Sequence, residues 1–267
     1  MNRFLFALLL LLPLPAFAWG DDGHRILCAV AWADLQPLAR ARVQDLLAIQ
    51  TPEEFSELCL WADRYRDTHP ETRRWHGVSV AAGQLKVDPL RDCDETWSCA
   101  IVQIKRDLGL MNGNAGREEK ADALKFLMHF VGDIHEPLHV TNAGSGIGYA
   151  IHGTYFGRET NMHDLWDSDI IAAENKPWPE LAMELHKGIT NAQRAAWVVS
   201  TPEDWANESL MLTQRPEMKF VEAKDFTWGE AYQRANVTVV RERLQRAGVR
   251  LSYAINETLG AAGEFAP

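Results

Sequence analysis

Apolar residues recur every three to four positions along most of this chain, which is the period of an amphipathic α-helix. Pro37 and Pro52 stand where first helical residues are expected, and Thr51 is the predicted N-cap of the helix that follows it. The periodic segments predict helices over 52–66, 98–108 and 118–136, and near 163–173, 179–199, 202–214, 228–246 and 250–259. We expect the second of these to end at Gly109 and the third to stop before Pro137.

Two stretches depart from the helical pattern. Residues 75–80 are predicted to be extended, and the glycine-rich stretch 144–157 is predicted to hold a loop and a short β-hairpin. No internal repeat, linker or low-complexity segment interrupts the chain. Residues 19–267 are therefore predicted to form one compact, mainly α domain with many helices.

The first eighteen residues have the pattern of a secretory signal peptide. Arg3 is followed by an apolar run over 4–12, then by two prolines, and Ala16-Phe17-Ala18 supplies the small-x-small site that signal peptidase reads. The run is too short to span a bilayer, and no later apolar stretch is long enough either. We expect an exported protein, periplasmic or secreted, whose mature chain begins at Trp19 and has no membrane span.

The mature chain is acidic. The sequence has 27 basic and 37 acidic side chains, a net charge of −10, and loss of Arg3 takes the net charge to −11. This balance argues against a nucleic-acid binder that works through a basic groove. It does not exclude a nuclease whose positive charge comes from bound metal ions.

Four cysteines follow the predicted cleavage site. Export favours pairing, and Cys93 and Cys99 flank a short loop that a disulfide could close. Cys28 and Cys59 could form a second bridge between two helical segments, although four cysteines allow three connectivities and buried free thiols are the alternative. None has the CxxC spacing of a zinc or redox motif, so we do not expect sulfur to bind metal.

Two pairs of histidine and aspartate share a helical spacing. His129 and Asp133 are four residues apart, as are His163 and Asp167, so each pair projects from one face of a helix. His139 follows shortly after the first pair, while His135 points to another face and is expected to lie behind the site or at the surface. Such pairs are often surface hydrogen bonds. However, the first lies in a strongly apolar helix, where an unpaired carboxylate would be costly to bury. Imidazole and carboxylate donors on rigid helices suit Zn²⁺ or a similar divalent ion.

Further segments complete a pattern. Trp19 is closely followed by His24, and the chain then contains WAD at 61–63, WH at 75–76, HFVGDIHEPLH at 129–139 and NMHDLWD at 161–167. In this order they resemble the S1/P1 nuclease family over most of the mature chain. The resemblance implies a mainly α domain of the phospholipase C/P1 nuclease type that binds three Zn²⁺ ions.

The resemblance also implies a ligand set for each ion. The first would be held by Asp63, His76, His129 and Asp133, and the second by His139, His163 and Asp167. The third would be held by His24, by Asp133 as a bridge, and by the amine and carbonyl of Trp19, which close a five-membered chelate that only a processed N-terminus can supply. The amine must be neutral to bind, which its ordinary pKa near 8 allows when a metal competes for the proton.

Family resemblance implies cleavage of single-stranded RNA and DNA to 5′-phosphorylated products, together with 3′-nucleotidase activity on nucleotides. Metal-activated water would be the nucleophile, with Asp63 and Arg66 as catalytic residues and Arg66 binding the phosphate; a surface salt bridge is the alternative for Arg66. Gly77 and Ser79 stand where an aromatic residue and a carboxylate or amide commonly contact the base. We expect Tyr149 to supply the missing stacking surface, and the protein to be a monomer.

Two other functions fit the same residues. A zinc-dependent phospholipase C has a related fold and ligand set, but the short gap from Trp19 to His24 and the aspartate at 167 favour the nuclease. A catalytically silent zinc-binding protein is the second alternative, against which the complete ligand set and Arg66 argue.

Overall fold

The protein was analysed as a computed structural model, which describes residues 19–93, 98–142, 146–218 and 226–260. Helices dominate these ranges. The α-helices are α1 (Asp21–Ala33), α2 (Pro37–Leu47), α3 (Pro52–Leu58), α4 (Trp61–Thr68), α5 (Pro89–Asp92), α6 (Ala100–Asn112), α7 (Arg117–Asp133), α8 (Met162–Asp164), α9 (Ile170–Ala172), α10 (Trp178–Gly188), α11 (Asn191–Val198), α12 (Pro202–Thr213) and α13 (Glu230–Leu259). The 3₁₀ helices are Pro70–His76, Pro137–His139, Gly146–Gly148 and Pro216–Met218, and a π-helical turn, Leu165–Asp169, joins α8 to α9.

Short strands connect the helices at two places. They are β1 (Val78–Val80), β2 (Val140–Asn142), β3 (His152–Tyr155), β4 (Arg158–Asn161) and β5 (Phe226–Trp228). β1 pairs in parallel with β2, and β3 lies between antiparallel β4 and parallel β5. The mainly α fold class is therefore confirmed.

Helix α7 forms the centre of the molecule. Its second half is apolar nearly all round, and residues such as Leu124, Leu127 and Phe130 are fully buried against α6 and α13. A helix that is hydrophobic on every side belongs in the core. Because α7 ends at Asp133, its last turn carries polar side chains into this apolar interior.

Both predicted disulfides are present. Cys28 in α1 is bonded to Cys59 at the end of α3, with their Cα atoms 6.5 Å apart, and Cys93 is bonded to Cys99 with a Cα separation of 5.3 Å. The first bridge fixes α1 to the junction of α3 and α4. The free-thiol alternative is therefore wrong for this structure.

The predicted helix starts are confirmed. Pro37 and Pro52 are first residues of α2 and α3, and the Thr51 side chain accepts a hydrogen bond from the Glu54 amide, which forms a capping box. The helix predicted over 118–136 also exists, but it ends three residues early. Glu136 is extended because a residue that precedes proline avoids the helical conformation.

Several predicted boundaries are wrong for identifiable reasons. The segment 52–66 is two helices, since the Cys59 carbonyl accepts a hydrogen bond from the His129 ring. Helix α6 does not end at Gly109 but continues to Asn112, because packing on α7 outweighs the roughly 1 kcal/mol that glycine costs. Helix α13 runs unbroken through Gly248, where α13 approaches α1 so closely that a Cβ atom would lie 2.5 Å from a Val30 methyl carbon.

The remaining differences are local. The segment 179–199 is also two helices, because Thr190 caps α11 through a hydrogen bond from the Gln193 amide. Of the stretch 75–80, Gly77 and β1 are extended, whereas Trp75 and His76 are the last residues of a 3₁₀ helix. The predicted hairpin is present as β3 and β4, later in the chain than the glycine-rich stretch suggests. No helix in the described ranges is long and apolar enough to cross a membrane.

One buried carboxyl group lacks a close partner among the residues that the structure describes. Asp107 in α6 is fully buried, neither of its oxygens has a hydrogen-bond partner there, and Arg106 comes no closer than 3.9 Å. Burial raises the pKa of Asp107 to about 8, against the opposing charge of Arg106. The native state therefore keeps a proton that the unfolded chain releases above about pH 4.

We predict that Asp107→Asn changes the pH dependence of stability. The unfolded state binds fewer protons than the native state between about pH 4 and 8, so wild-type stability falls over this window as pH rises. Urea denaturation at pH 5 and pH 8 measures the free energy of unfolding of both proteins. The value for the variant minus that for the wild type should be larger at pH 8 than at pH 5 by about 2 kcal/mol or more. Asp122→Asn, at an exposed carboxylate, is the control. An equal difference between Asp107→Asn and the wild type at both pH values would contradict the prediction.

Candidate metal centre

Eight of the predicted ligand side chains converge on one buried region, and each is at most 5% exposed. They come from separate parts of the chain, so the fold alone brings them together. The contributing residues are His24 from α1, Asp63 from α4, His76 and His139 from the ends of 3₁₀ helices, His129 and Asp133 from α7, His163 from α8, and Asp167 from the π-helical turn.

The first cluster surrounds the His129 ring. Its Nδ1 atom hydrogen-bonds to the Cys59 carbonyl at 2.6 Å, which turns Nε2 towards the carboxylates. That Nε2 atom lies 3.4 Å from an oxygen of Asp63 and 3.4 Å from an oxygen of Asp133. The Nδ1 atom of His76 lies 3.0 Å from the other oxygen of Asp133. Two carboxylates and two imidazoles thus point at one small volume.

His24 extends this cluster from the other side of Asp133. Its Nε2 atom lies 3.3 Å from Asp133, and its ring stacks on the His129 ring with centroids 4.0 Å apart. The close approach depends on Gly132, where a Cβ atom would lie 2.8 Å from the His24 ring. Asp133 therefore stands between two groups of donors, as a bridging ligand would.

A separate group of donors consists of His139, His163 and Asp167. The Nε2 atom of His163 lies 2.9 Å from Asp167, and the His139 and His163 rings stack with centroids 5.3 Å apart. Nδ1 of His139 hydrogen-bonds to the His76 carbonyl at 2.6 Å, and Nδ1 of His163 to the Ile147 carbonyl at 2.9 Å. Backbone carbonyls that hold one ring nitrogen and leave the other for a metal are typical of histidine ligands.

The donor atoms fit metal ions. Each of three sets offers ligand atoms that lie within 4.8 Å of one another: His24, His129 and Asp133; Asp63, His76 and His129; and His139, His163 and Asp167. Many of these buried atoms have no hydrogen-bond partner within the described ranges, including both Asp133 oxygens and the Nε2 atoms of His24 and His139. Unsatisfied polar atoms are rare in protein interiors, and a cation would satisfy them.

Electrostatics favours the same conclusion. Burial lowers the pKa of His24 and His76, and burial together with His163 lowers the pKa of His139 to about 3, so these rings are neutral as metal binding requires. Burial also raises the pKa of Asp133, with the Asp63 charge adding to the shift. Burial alone would lower the pKa of His129, but the negative charges of Asp133 and Asp63 outweigh it and raise this pKa to about 9. A bound cation would replace that proton.

The start of the predicted mature chain lies against this centre. Trp19 is fully buried, and the Gly20 amide donates a hydrogen bond to the Asp167 carbonyl at 2.8 Å. A Cβ atom on Gly20 would lie 2.0 Å from the Ser168 hydroxyl, so a larger residue at this position would have to displace that hydroxyl. Trp19 is thereby held between the helix that carries His24 and the π-helical turn that carries Asp167.

Arg66 lies at the edge of the centre, with its guanidinium 3.0 Å from Asp63 and its side chain 6% exposed. Arg66 and Asp63 therefore form a salt bridge that is buried and not at the surface, and phosphate binding by Arg66 stays a prediction. A cavity of about 500 Å³ opens beside it, lined also by His76, His139 and the predicted substrate contacts Gly77 and Ser79.

Of the three predicted base contacts, Gly77 and Ser79 line the cavity, and Tyr149 lies elsewhere. The Ser79 side chain is exposed between the buried Val78 and Val80, and a Cβ atom on Gly77 would lie 2.7 Å from the His139 carbonyl oxygen. Tyr149 packs its ring on His163 with centroids 4.0 Å apart and is not among the described residues that line the cavity. Base stacking by Tyr149 stays a prediction.

Residues that hold the turn between Asp133 and His139 carry no local sequence signal. Arg243 in α13 donates to the His135 carbonyl at 2.9 Å, and Ser209 in α12 donates to the Ile134 carbonyl at 2.6 Å. His135 is buried and not at the surface: its Nδ1 bonds to the Val131 carbonyl, and its Nε2 accepts from Arg250 at 2.8 Å. Arg243, Ser209 and Arg250 are far from this turn in sequence, so only the fold reveals them.

Glu136 is a further residue that the motifs did not single out. Its carboxylate is fully buried and accepts a hydrogen bond from the His139 amide at 2.9 Å, which caps the 3₁₀ helix and fixes the position of His139. Pro137 at the first helical position marks the residue before it as an N-cap, and this signal could have identified Glu136.

The fold and site together define a helical protein with a buried centre that can hold several metal ions. A family model described as S1/P1 Nuclease matches residues 19–260. The chain therefore belongs to the S1/P1 nuclease family.

Named relatives align over nearly the whole chain. Endonuclease 2 of Arabidopsis thaliana is 30% identical over 91% of this chain and 91% of its own length. Nuclease S1 of Aspergillus oryzae is 26% identical over 88% of this chain and 90% of its own, and nuclease P1 of Penicillium citrinum is 26% identical over 91% and 98%.

We predict opposite effects of alanine at two helical glycines. Gly132→Ala should lower the free energy of unfolding by about 1–3 kcal/mol, because the new methyl group would overlap the His24 ring and Leu27. Gly109→Ala is the matched control, since no atom lies within 4 Å of its Cβ position, and it should raise stability by about 0.5–1 kcal/mol. Urea denaturation measures both; a stabilising Gly132→Ala would show that His24 does not need this close approach.

Proposed function

We propose that this protein is an endonuclease that depends on three zinc ions and hydrolyses phosphodiester bonds in single-stranded RNA and DNA. Three adjacent groups of buried histidine and aspartate donors beside a cavity carry the proposal. Membership of the S1/P1 family and the nuclease names of the relatives support it. We further propose 5′-phosphorylated products and 3′-nucleotidase activity, as the family resemblance implies.

The proposed ligands divide among three ions. Asp63, His76, His129 and Asp133 hold the first; His139, His163 and Asp167 hold the second; and Trp19, through its amine and carbonyl, His24 and the bridging Asp133 hold the third. Nitrogen and oxygen donors without sulfur suit zinc in a catalytic role. Bound ions supply Lewis acidity that makes water nucleophilic near neutral pH and neutralises charge on the phosphate.

The chain's own residues prepare this chemistry by positioning. The carbonyls of Cys59, His76 and Ile147 fix the rings of His129, His139 and His163, so that one nitrogen of each faces the centre. Ligands held in this way need no rearrangement when a substrate binds, which keeps the electrostatic field of the site preorganised.

Arg66 is the proposed phosphate-binding residue. Arg66 lines the cavity, and Asp63, one helical turn away, holds its guanidinium in place. A guanidinium can donate two parallel hydrogen bonds to phosphate oxygens and stabilise the charge that develops during hydrolysis. Gly77 and Ser79 line the same cavity and are proposed to contact the base, together with Tyr149.

Export is the second part of the proposal. Two disulfides are typical of proteins that fold in an oxidising compartment. We propose that residues 1–18 are a signal peptide, that cleavage precedes Trp19, and that the mature protein acts as a monomer in the periplasm or outside the cell. Because the third ion uses the free amine of Trp19, signal removal would also complete the site.

The function is tested by metal analysis together with substrate turnover. The purified protein should contain close to three zinc ions per chain, cleave single-stranded RNA and DNA, and lose this activity to a chelator. His139→Ala should lose one zinc and at least about 100-fold in activity, whereas His152→Ala, at an exposed histidine in β3, should lose neither.

Two outcomes would support the alternatives instead. Turnover of phosphatidylcholine without turnover of nucleic acid would identify a phospholipase C. Bound zinc with no hydrolysis of any phosphoester would identify a silent zinc-binding protein.

A second prediction concerns the N-terminus. A chain that retains Ala18 has an amide where the third ion needs an amine, so it should bind one zinc fewer than a chain that starts at Trp19 and lose most of its activity. Elemental analysis and nuclease assays on the two purified proteins compare them directly. Equal zinc content and activity would mean that Trp19 is only a packed aromatic residue.

A further inference from the structure

The cavity beside the metal centre is lined by arginines other than Arg66, the proposed ligand of the reacting phosphate. Besides Arg66, its described lining includes Arg73 and Arg74, both exposed at the end of the 3₁₀ helix Pro70–His76. We propose that Arg73 and Arg74 form a second phosphate subsite, which holds the nucleic-acid strand next to the scissile phosphate and makes oligonucleotides better substrates than mononucleotides. This inference rests on the proposed nuclease function.

The local geometry aligns one of these arginines with the metal centre. A 3₁₀ helix has three residues per turn, so Arg73 and His76 project from the same side, about 6 Å apart along the axis. Thr72 is buried and donates a hydrogen bond to the His69 carbonyl at 2.8 Å, which anchors the helix. Arg73 is exposed and forms no ion pair with any residue that the structure describes.

Charge in the cavity favours phosphate strongly. Asp92 is the one acidic side chain in the described lining, and Arg91 neutralises it with hydrogen bonds at 2.6 and 2.8 Å. Arg66, Arg73 and Arg74 thus line this cavity in a chain whose net charge is −10. Such a local concentration of positive charge binds the phosphates of a strand and makes binding dependent on salt.

The two parts of the cavity suit two different phosphates. Arg66 is buried beside Asp63 at the metal centre, where the reacting phosphate belongs. Arg73 and Arg74 are exposed at the rim, about one helical turn away, within reach of a neighbouring phosphate. A mononucleotide with a single phosphate fills the first position only, whereas an oligonucleotide fills both.

The test compares substrates of different length with the zinc-loaded enzyme. In Arg73→Gln/Arg74→Gln, kcat/KM for a single-stranded decanucleotide should fall about tenfold through KM, while kcat/KM for a 3′-mononucleotide stays unchanged. The slope of log KM for the decanucleotide against log salt should fall by about 0.7 for each phosphate that the variant no longer binds. Arg73→Lys/Arg74→Lys should retain the slope, because it retains the charge.

A matched control removes the same charge elsewhere. Arg117→Gln/Arg234→Gln changes two exposed arginines, of which Arg117 begins α7, about 24 Å along the helix from Asp133. This variant should leave both substrates and the salt slope unaffected. An equal change in the control would overturn the subsite, since it would show a response to overall charge.

Four other results would overturn the proposal. Unchanged decanucleotide kinetics in the glutamine variant would show that no second phosphate is bound, and equal losses on both substrates would show a defect in the metal centre. Binding of wild type but not of the glutamine variant to phosphatidylglycerol vesicles, with unchanged decanucleotide kinetics, would assign the arginines to a membrane surface. If the wild-type enzyme cleaves mononucleotides but no oligonucleotide, the proposed nuclease function is itself contradicted.

Discussion

The structure depends on the burial of carboxylates at its centre. Asp63 and Asp133 lie within 3.4 Å of the same His129 nitrogen, both are at most 4% exposed, and neither Asp133 oxygen has a hydrogen-bond partner in the part of the chain that the structure describes. Isolated ionised carboxylates in such surroundings cost many kcal/mol. Without a cation, part of that cost is relieved by protons, which is why the pKa of Asp133 is raised and that of His129 is raised to about 9. Divalent ions bound at these donors would remove this cost and would couple metal binding to folding.

Contacts between the helices fix the positions of the donor residues. The disulfide between Cys28 and Cys59 fixes α1, which carries His24, to the residue whose carbonyl orients His129. On the opposite side, Arg243 from α13 holds the turn that follows Asp133. These ligands are therefore positioned by contacts that belong to the core, so loss of packing and loss of metal should occur together.

Positive charge in this acidic protein is local. Arg66, Arg73 and Arg74 line one cavity beside the donor cluster, while the overall charge is −10. A protein of this kind attracts nucleic acid at one site instead of along a broad basic surface.

Local sequence patterns determined the helical fold class and the N-cap at Thr51, and i,i+4 spacing puts His129 with Asp133 and His163 with Asp167 on one helical face whatever the rest of the chain does. Cysteine positions and the export pattern anticipated both disulfides. Tertiary contacts decided where helices end and where they continue. The helical segment 52–66 is interrupted at Cys59, whose carbonyl hydrogen-bonds to His129, and α13 continues through Gly248, which lets it approach α1. Only the folded chain could show that Arg243 holds the Asp133 turn, or that Arg73 lines the cavity, because no local spacing encodes contacts between residues so far apart or the shape of the space between them.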